Sequence, residues 1–209
     1  MSDRATAPHF DGGALTVRTR FAPSPTGQMH IGGFRTIVFS WLLARHGNGQ
    51  FIVRIEDTDQ KRTVETAVEN LLEGLRWIGI TPDEGPDVGG PVGPYFQSQR
   101  LDHYAFYAAE LLRTGHGYRC FCTRERLDEL RADQQARHLP TTGYDRLCRT
   151  LPQEIIDQRV AEGIPFTVRL KVPLDGVPVV PDILRGDVSF QNKTLEDAIL
   201  LKSDGYPTY

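Results

Sequence analysis

Residues 20–36 read RFAPSPTGQMHIGGFRT, and the order of residue types in this stretch decides the fold class. The β-branched alternation of residues 15–22 predicts a strand that ends inside the stretch. Residues 23–27 (PSPTG) predict a tight loop, because proline fixes φ and glycine permits the turn. Residues 33–46 predict a helix that ends before Gly47. The stretch is therefore typical of a strand, a loop and a helix in direct succession.

The same order of elements repeats further along the chain. Residues 51–55 (FIVRI) predict a second strand, residues 56–59 (EDTD) an acidic loop at its carboxyl end, and residues 64–78 an amphipathic helix. Strand, helix, strand, helix is typical of a parallel sheet with right-handed crossovers. We therefore predict an α/β fold: residues 15–99 form the first half of a doubly wound, Rossmann-like sheet, preceded by a disordered tail at residues 1–14.

The composition changes after residue 80. Residues 81–94 hold four prolines and four glycines, which predicts a surface loop. Beyond it the patterns predict a helix over 100–116, a short strand over 118–122, a charged helix over 123–137, and antiparallel strands within 166–192. We predict that residues 100–202 form an inserted α+β module and that residues 203–209 return to the first half-sheet.

Composition and charge exclude several classes of protein. The 209-residue chain has 39% hydrophobic residues, enough for a buried core, but no apolar run near the roughly 20 residues of a membrane span. Its amino terminus lacks the apolar region of a secretory signal, and three cysteines are too few for a disulfide framework. We therefore expect a cytoplasmic protein with no membrane partner. The net charge of −3 argues against binding of nucleic acid through overall charge, but it permits a local basic face.

The start of the first predicted helix has the chemistry of a phosphate site. His30, Gly32 and Gly33 stand at the carboxyl end of the first strand, where open α/β sheets bind ligands. A helix amino terminus attracts anions, glycine allows close approach of a nucleotide, and an imidazole can donate a hydrogen bond to a phosphoryl oxygen. A lone histidine before two glycines also begins helices that bind nothing, so the motif alone leaves both interpretations open.

Further motifs follow in a fixed order along the chain. They are FAPSPTG (21–27), HIGG (30–33), RIEDTD (54–59), QSQR (97–100), GYDRLCR (143–149) and KSDGYPTY (202–209). On these motifs the chain resembles the bacterial glutamyl-tRNA synthetases, a class I aminoacyl-tRNA synthetase family, from about Thr16 to its last residue. The resemblance implies an enzyme that activates L-glutamate with ATP to glutamyl-adenylate, with Mg²⁺ on the ATP phosphates, and transfers it to the 3′ end of tRNA(Glu).

The resemblance also implies residue roles in catalysis and ATP binding. It assigns catalysis to His30, Gly32 and Gly33, and ATP binding to Ser24, Thr26, His30 and Gly32. Attack of a carboxylate on the α-phosphate concentrates negative charge, which a histidine and helix amides can stabilise without reacting themselves. The family is expected to act as a monomer at full length.

A pocket for glutamate needs an arginine for the side-chain carboxylate and a carboxylate for the ammonium group. Arg20 and Glu56 follow adjacent predicted strands, so we expect them in one crevice, although either residue could instead be an ordinary surface charge. The resemblance assigns the glutamate site to Arg20, Ala22, Ser24, Glu56 and Tyr209, with Glu56 holding the α-amine. Asp57 and Asp59 are secondary candidates that either orient the tRNA end or cap the next helix.

The three cysteines indicate a metal site. Cys120 and Cys122 point to one face of a predicted strand, and Cys148 lies beyond a charged helix. A structural Zn²⁺ site needs four ligands, and three buried cysteines can also act as small hydrophobic residues. Resemblance to zinc-bearing relatives with the pattern CxC…YxxxC assigns the fourth position to Tyr144. His138 is the conventional alternative.

Residues 113–149 are locally basic. They hold eight arginines and five acidic residues, a local net charge of +3 in a chain of net −3. In the family this insertion contacts the tRNA acceptor stem, and arginine suits phosphate contacts. The alternative is a solvated helix surface with i,i+4 ion pairs.

Two other functions fit parts of the sequence. Glutamyl-queuosine tRNA(Asp) synthetase shares the HxGG motif and the metal pattern, and a zinc-stapled RNA-binding module without catalysis is the alternative from another class. Glutamine specificity is also open, since the family's second specificity arginine would follow Tyr209. The KMSKS-type loop and the anticodon-binding domain are not in the chain, so we expect a partial chain that is inactive alone.

Overall fold

The computed structural model describes residues 17–59, 62, 64, 66–139, 142–182 and 185–208. The predicted tail at 1–14, the first residues of the predicted first strand and Tyr209 lie outside the described residues. The chain divides into two compact units, with the boundary between Gln99 and Arg100. In the described part of the chain, no helix has both the length and the apolar character needed to cross a membrane.

The first unit has the predicted order of elements. Strand β1 covers Arg18–Phe21, helix α1 Ile31–His46, strand β2 Gln50–Val53 and helix α2 Ala67–Trp77. The strands β1 and β2 are parallel, with Arg20 opposite Ile52, and α1 is the crossover between them. The prediction of a parallel pair joined by a helix is confirmed.

The core of the first unit lies around β2. Phe51 and Val53 are fully buried, as are Ile37 of α1 and Ile55 beyond the strand, and Leu75 of α2 is almost so. A strand that is covered on both faces reads as a continuous apolar run, which is what FIV provides. This core fixes the carboxyl ends of β1 and β2. Most of the residues predicted to bind glutamate lie at or just after these ends.

The segment 81–96 is more ordered than its proline and glycine content predicts. Its backbone forms isolated parallel bridges from Glu84 to Ile52 and from Phe96 to Ile55. Glu84 is 1% exposed, accepts a hydrogen bond from Tyr95 Oη at 2.5 Å and pairs with Arg18 at 2.7 Å. Residues 81–94 form no helix or strand, as predicted, but they are only partly at the surface, because irregular backbone can still carry side chains that are buried beside a strand.

The second unit is built on a three-stranded antiparallel sheet. Its helices are α3 (Leu101–Arg113), α4 (Arg124–Ala136) and α5 (Gln153–Ala161), and its strands are β3 (Gly117–Cys120), β4 (Thr167–Leu170), β5 (Val179–Asp182), β6 (Gly186–Ser189) and β7 (Ile199–Leu201). The sheet has the order β3–β4–β7, and β5 and β6 form a separate hairpin. The sequence patterns did not predict α5 or β7, which are nine and three residues long.

The second unit carries a small core that includes the cysteines. Tyr118, Cys120, Phe121, Tyr144 and Cys148 form one buried cluster at the end of β3. The residues after β7 fold back on that strand. The Thr208 N–H donates to the Leu200 carbonyl at 3.1 Å, and Pro207 bridges Leu201. The described part of the segment 203–209 therefore pairs with β7.

Candidate active site and metal centre

His30 is the N-cap residue of α1. Its backbone is extended, with φ −77° and ψ 151°, and its Nδ1 accepts a hydrogen bond from the Gly32 N–H at 3.1 Å. An N-cap side chain that accepts from the first turn stabilises the helix. In a neutral imidazole the acceptor nitrogen carries no proton, so Nε2 of this exposed side chain carries it and is the donor.

The two glycines after His30 have different neighbours. A Cβ at Gly32 would lie 3.3 Å from His30 Nδ1, so the glycine leaves room for the capping imidazole. A Cβ at Gly33 would lie 2.1 Å from the Met29 sulfur, and Met29 packs against the core of the first unit. Gly33 is therefore explained by packing of the preceding loop, a role that the sequence analysis did not consider.

The Glu56 carboxylate is the centre of a buried polar cluster. Glu56 is 6% exposed, and its N–H donates to the Pro23 carbonyl at 2.8 Å. Its Oε1 accepts from Arg20 at 2.8 Å and from Arg54 at 3.1 Å, and its Oε2 accepts from the Gln97 side-chain amide. The structure thus brings Arg20 and Glu56 together at the carboxyl ends of β1 and β2, as adjacent parallel strands require.

This cluster has the charges that an amino acid needs. Two guanidinium groups and one carboxylate leave a formal charge of +1, and the Arg20 side chain is 41% exposed. An incoming carboxylate can therefore replace Glu56 as the partner of Arg20, while Glu56 turns to an incoming ammonium group. Arg54 and Gln97 were missed by sequence analysis. Arg54 belongs to the quoted RIEDTD motif, and Gln97 is the first residue of the quoted QSQR motif, 41 positions after Glu56.

The other acidic candidates are engaged within the first unit. Asp57 is buried and accepts from the Ser98 backbone N–H at 2.8 Å and from the Ser98 hydroxyl at 2.5 Å. Asp59 pairs with Arg62 at 2.6 Å. The N-cap residue of α2 is Thr66. Asp57 therefore ties the QSQR turn to the acidic loop, and neither aspartate is the N-cap residue of the next helix.

The three cysteine thiols and the Tyr144 hydroxyl converge in the second unit. The Cys120 sulfur lies 3.2 Å and the Cys122 sulfur 3.7 Å from Tyr144 Oη, and the Cys122 and Cys148 sulfurs are 3.6 Å apart. A tetrahedral Zn²⁺ with bonds of about 2.3 Å would separate its sulfur ligands by about 3.8 Å, so these distances fit that metal. Among the described residues, His138 does not belong to this cluster.

Hydrogen bonds and burial set the protonation of the Tyr144 hydroxyl and of the thiols around it. Its Oη accepts a hydrogen bond from the Cys148 N–H at 2.9 Å, and the Phe121 N–H donates to the Cys148 sulfur at 3.4 Å. Side-chain hydrogen bonding with Cys148, and to a smaller extent with Tyr144, lowers the pKa of Cys120. The same bond and burial raise the pKa of Cys148, and burial raises that of Tyr144. The cluster alone therefore favours one thiolate, and a cation would stabilise the others.

The family model described as "tRNA synthetases class I (E and Q), catalytic domain" matches residues 16–209. The chain belongs to this family. Its fold is thus a class I tRNA synthetase catalytic-domain fold of mixed α/β content, and the resemblance expected from the motifs is confirmed.

Individual members of the family are closely similar to the chain. It is 52% identical to a glutamate–tRNA ligase of Clostridium botulinum (strain Hall) and 51% identical to glutamate–tRNA ligase 1 of Syntrophomonas wolfei, each over 92% of the chain. The crystal structure of a glutamate tRNA ligase from Elizabethkingia meningosepticum in complex with its amino acid matches 93% of the chain with a TM-score of 0.86 and 44% identity. The glutamate-tRNA synthetase of Elizabethkingia anophelis matches 93% of the chain with a TM-score of 0.87 and 44% identity.

The chain spans about two fifths of these relatives. It covers 40% of the Clostridium botulinum protein, 39% of the Syntrophomonas protein, and 40% and 41% of the two solved chains. The matched region is an enzyme domain of the glutamate and glutamine branch of class I synthetases.

The basic region of this synthetase domain is largely paired. Exposed ion pairs within three or four residues join Arg113 to Glu110, Arg131 to Asp128 and Arg137 to Asp133. Arg124 forms a further exposed pair with Asp128, and Arg126 pairs with the half-buried Asp145. Arg146 and Arg149 share the buried Asp197, and the Arg119 guanidinium lies over the Phe166 ring. Exposed ion pairs contribute little to the free energy of unfolding. The exposed arginines can therefore exchange a carboxylate partner for a phosphate with little loss of stability.

Proposed function

We propose that this chain is the part of a glutamate–tRNA ligase that binds L-glutamate and ATP and forms glutamyl-adenylate, for transfer to the 3′ end of tRNA(Glu). The observation that carries the proposal is the Arg20–Glu56 pair at the carboxyl ends of β1 and β2. The pair offers one cationic and one anionic side chain in the crevice of an α/β sheet. These charges suit the family, which acts on an acidic amino acid or its amide.

The proposed glutamate site uses exchange of ion pairs. Arg20 binds a carboxylate of the substrate, and Glu56 binds the α-ammonium group. Ala22 and Ser24 follow Arg20 in the chain and line the same site, to which the family pattern also assigns Tyr209. Arg54 and Gln97 hold the Glu56 carboxylate when Arg20 turns to the substrate, since both contact it already.

The proposed ATP site lies at the start of α1. The Nε2–H of His30 donates to phosphate as negative charge develops there, while Nδ1 stays bound to the helix. Ser24, Thr26 and Gly32 line the nucleotide, Gly33 allows the loop to pack beneath it, and Mg²⁺ accompanies the phosphates. The free backbone N–H groups in the first turn of α1 also favour a bound anion.

We further propose that Cys120, Cys122, Tyr144 and Cys148 hold a structural Zn²⁺. Four protein ligands leave no open coordination position, which is typical of a structural site. The metal would join the end of β3 to the segment 144–148 in the small core of the second unit. The exposed arginines of this unit would contact the tRNA acceptor stem.

The domain organisation of the family belongs to the same proposal. Residues 15–99 would be the first half of a doubly wound sheet, residues 100–202 the inserted zinc-bearing module, and residues 203–209 the return to the first half. The full-length protein would be a cytoplasmic monomer.

Direct ligand binding tests the glutamate site in the chain as it exists. We expect isothermal titration to detect L-glutamate with wild-type protein and with the control Arg76→Ala, whose side chain is 68% exposed on α2. Arg20→Ala should lose this binding. Equal binding of glutamate by Arg20→Ala and wild type would contradict the assignment.

A second assay distinguishes the related functions. The protein is incubated with radiolabelled ATP, glutamate and either tRNA(Glu) or tRNA(Asp), with adenylate and acylated tRNA measured separately. Adenylate formation supports the proposed activation step. Modification of tRNA(Asp) would instead indicate a glutamyl-queuosine synthetase, and zinc and RNA binding without affinity for glutamate or ATP would indicate a non-catalytic module.

A further inference from the structure

Two acidic residues just before β7, Glu196 and Asp197, contact the segments that carry the cysteine and tyrosine ligands. We propose that they are positioning residues of the metal site, which hold Tyr144 and Cys148 in the geometry that Zn²⁺ requires. The inference rests on the proposed metal site and extends it to residues about fifty positions further along the chain.

Glu196 fixes the backbone of Tyr144. The Tyr144 N–H donates to Glu196 Oε1, and the preceding residue is Gly143, where a Cβ would lie 2.7 Å from the same oxygen. Gly143 is held from its other side by two hydrogen bonds of 2.9 Å to the Gln134 side chain. The glycine therefore makes room for a carboxylate next to the ligand, and that carboxylate fixes where the tyrosine begins.

Asp197 joins the two ligand-bearing segments. It is fully buried and accepts from Arg149, the residue after Cys148, at 2.9 and 3.1 Å. It also accepts at 2.8 Å from Tyr118 Oη, which lies on β3 two residues before Cys120. One carboxylate thus ties the β3 ligands to the 144–148 ligands without the metal.

Arg169 of β4 fixes the plane of the tyrosine ring. Its guanidinium carbon lies 3.8 Å from the centroid of the Tyr144 ring, and its Nη1 donates to the Asp197 carbonyl at 2.8 Å. The backbone that carries the acidic pair therefore also holds the cation stacked on the ligand. Outer contacts of this kind orient metal ligands, and their loss usually weakens metal affinity by about 10- to 100-fold.

Zinc affinity tests the role of Glu196, whose exposed position favours a folded variant. The full chain is titrated in competition with a chromogenic chelator, and its Co²⁺ form is examined by visible absorption, which reports tetrahedral geometry. Glu196→Ala should bind Zn²⁺ about tenfold or more weakly and show an altered Co²⁺ spectrum. Glu196→Gln should restore both, since its amide oxygen can accept the Tyr144 N–H. Glu129→Ala, an exposed glutamate on α4, is the matched control and should resemble wild type.

A second variant disturbs the hydrogen bond between Glu196 and the Tyr144 N–H by a change at Gly143. Gly143→Ala should displace the Glu196 carboxylate and weaken Zn²⁺ binding to a similar degree, and combining it with Glu196→Ala should add little further loss. Far-UV circular dichroism verifies that each variant is folded.

The outcomes separate the two proposals. If wild type binds no stoichiometric zinc, the metal site and the positioning role are both wrong. If wild type binds zinc but Glu196→Ala and Gly143→Ala bind it within about twofold of wild type, the metal site stands and the positioning role is overturned.

Discussion

Replacing Glu56 by glutamine tests the centre of the candidate active site. The substitution keeps the shape of the side chain and removes its charge. The carboxylate is 6% exposed and accepts from two guanidinium groups and one amide, so the replacement changes every one of these contacts. We expect both the stability of the first unit and its affinity for glutamate to fall.

The expected loss of stability follows from the exposure of each partner. Arg20 is 41% exposed, so its pair contributes at most about 1 kcal/mol. Arg54 is 25% exposed and bonded to a buried carboxylate, and such a charged hydrogen bond contributes about 1.5–3 kcal/mol. The amide nitrogen of the new glutamine would also face the Gln97 amide nitrogen, which now donates to Glu56, unless one of the two side chains turns. We therefore expect the free energy of unfolding to fall by about 2–4 kcal/mol.

Urea denaturation followed by tryptophan fluorescence measures this change, since Trp41 and Trp77 both lie in the first unit. The matched control is Glu73→Gln on the exposed surface of α2, which should stay within about 0.5 kcal/mol of wild type. Calorimetric titration should show glutamate binding weakened by about tenfold or more, because the ammonium group loses its partner. An unfolding midpoint and slope equal to those of wild type would refute the reasoning that Glu56 is a buried, ionised partner of both arginines.

Two further predictions concern pH and metal. The hydrogen bond from Arg45 lowers the pKa of Asp83, aided by the Phe51 N–H, so the pair contributes stability above the unfolded pKa near 3.8 that is lost as pH falls towards the lower folded value. Asp83→Asn should therefore lower stability at neutral pH and show less additional loss in urea denaturation below about pH 4, and an unchanged acid dependence would contradict this. Removal of Zn²⁺ with a chelator should lower the melting temperature of the second unit by about 10 °C or more relative to protein with zinc at a hundredfold excess over its dissociation constant. Calorimetry with and without chelator measures it, and identical transitions in a protein that binds zinc would contradict a structural role.

Sequence patterns predicted those site residues whose positions follow from regular backbone geometry. Arg20 and Glu56 were predicted to meet because parallel strands end at one edge, and the described residues bring them within 2.8 Å. Cys120 and Cys122 were predicted on one face of a strand over 118–122. Their sulfurs do lie in one cluster, but β3 ends at Cys120, so strand alternation alone does not place Cys122. Gln97 was not predicted as a partner of Glu56, since it lies 41 positions away in a short turn with no periodic signal.

The same limit explains the parts of the fold that were missed. Prolines and glycines in 81–94 indicate irregular backbone, but they carry no information on burial, and Glu84 is almost completely buried there. Strand β7 is only three residues long, so its alternation is too short to recognise. Glu196 and Asp197 look like ordinary surface acids in the sequence. Their role depends on a contact across 52 positions for Glu196 and 48 for Asp197, which only the folded chain supplies.

His30 illustrates why two competing interpretations of one motif can both be right. The sequence left it as either the start of a helix or a donor to phosphate. In the fold its Nδ1 caps α1 by accepting from Gly32, and that hydrogen bond determines which nitrogen carries the proton. The structural role therefore prepares the proposed chemical one, because a capped imidazole keeps Nε2–H as its donor and a fixed ring position at the helix terminus. The histidine at this position thus combines a helix cap with a hydrogen-bond donor in a single side chain.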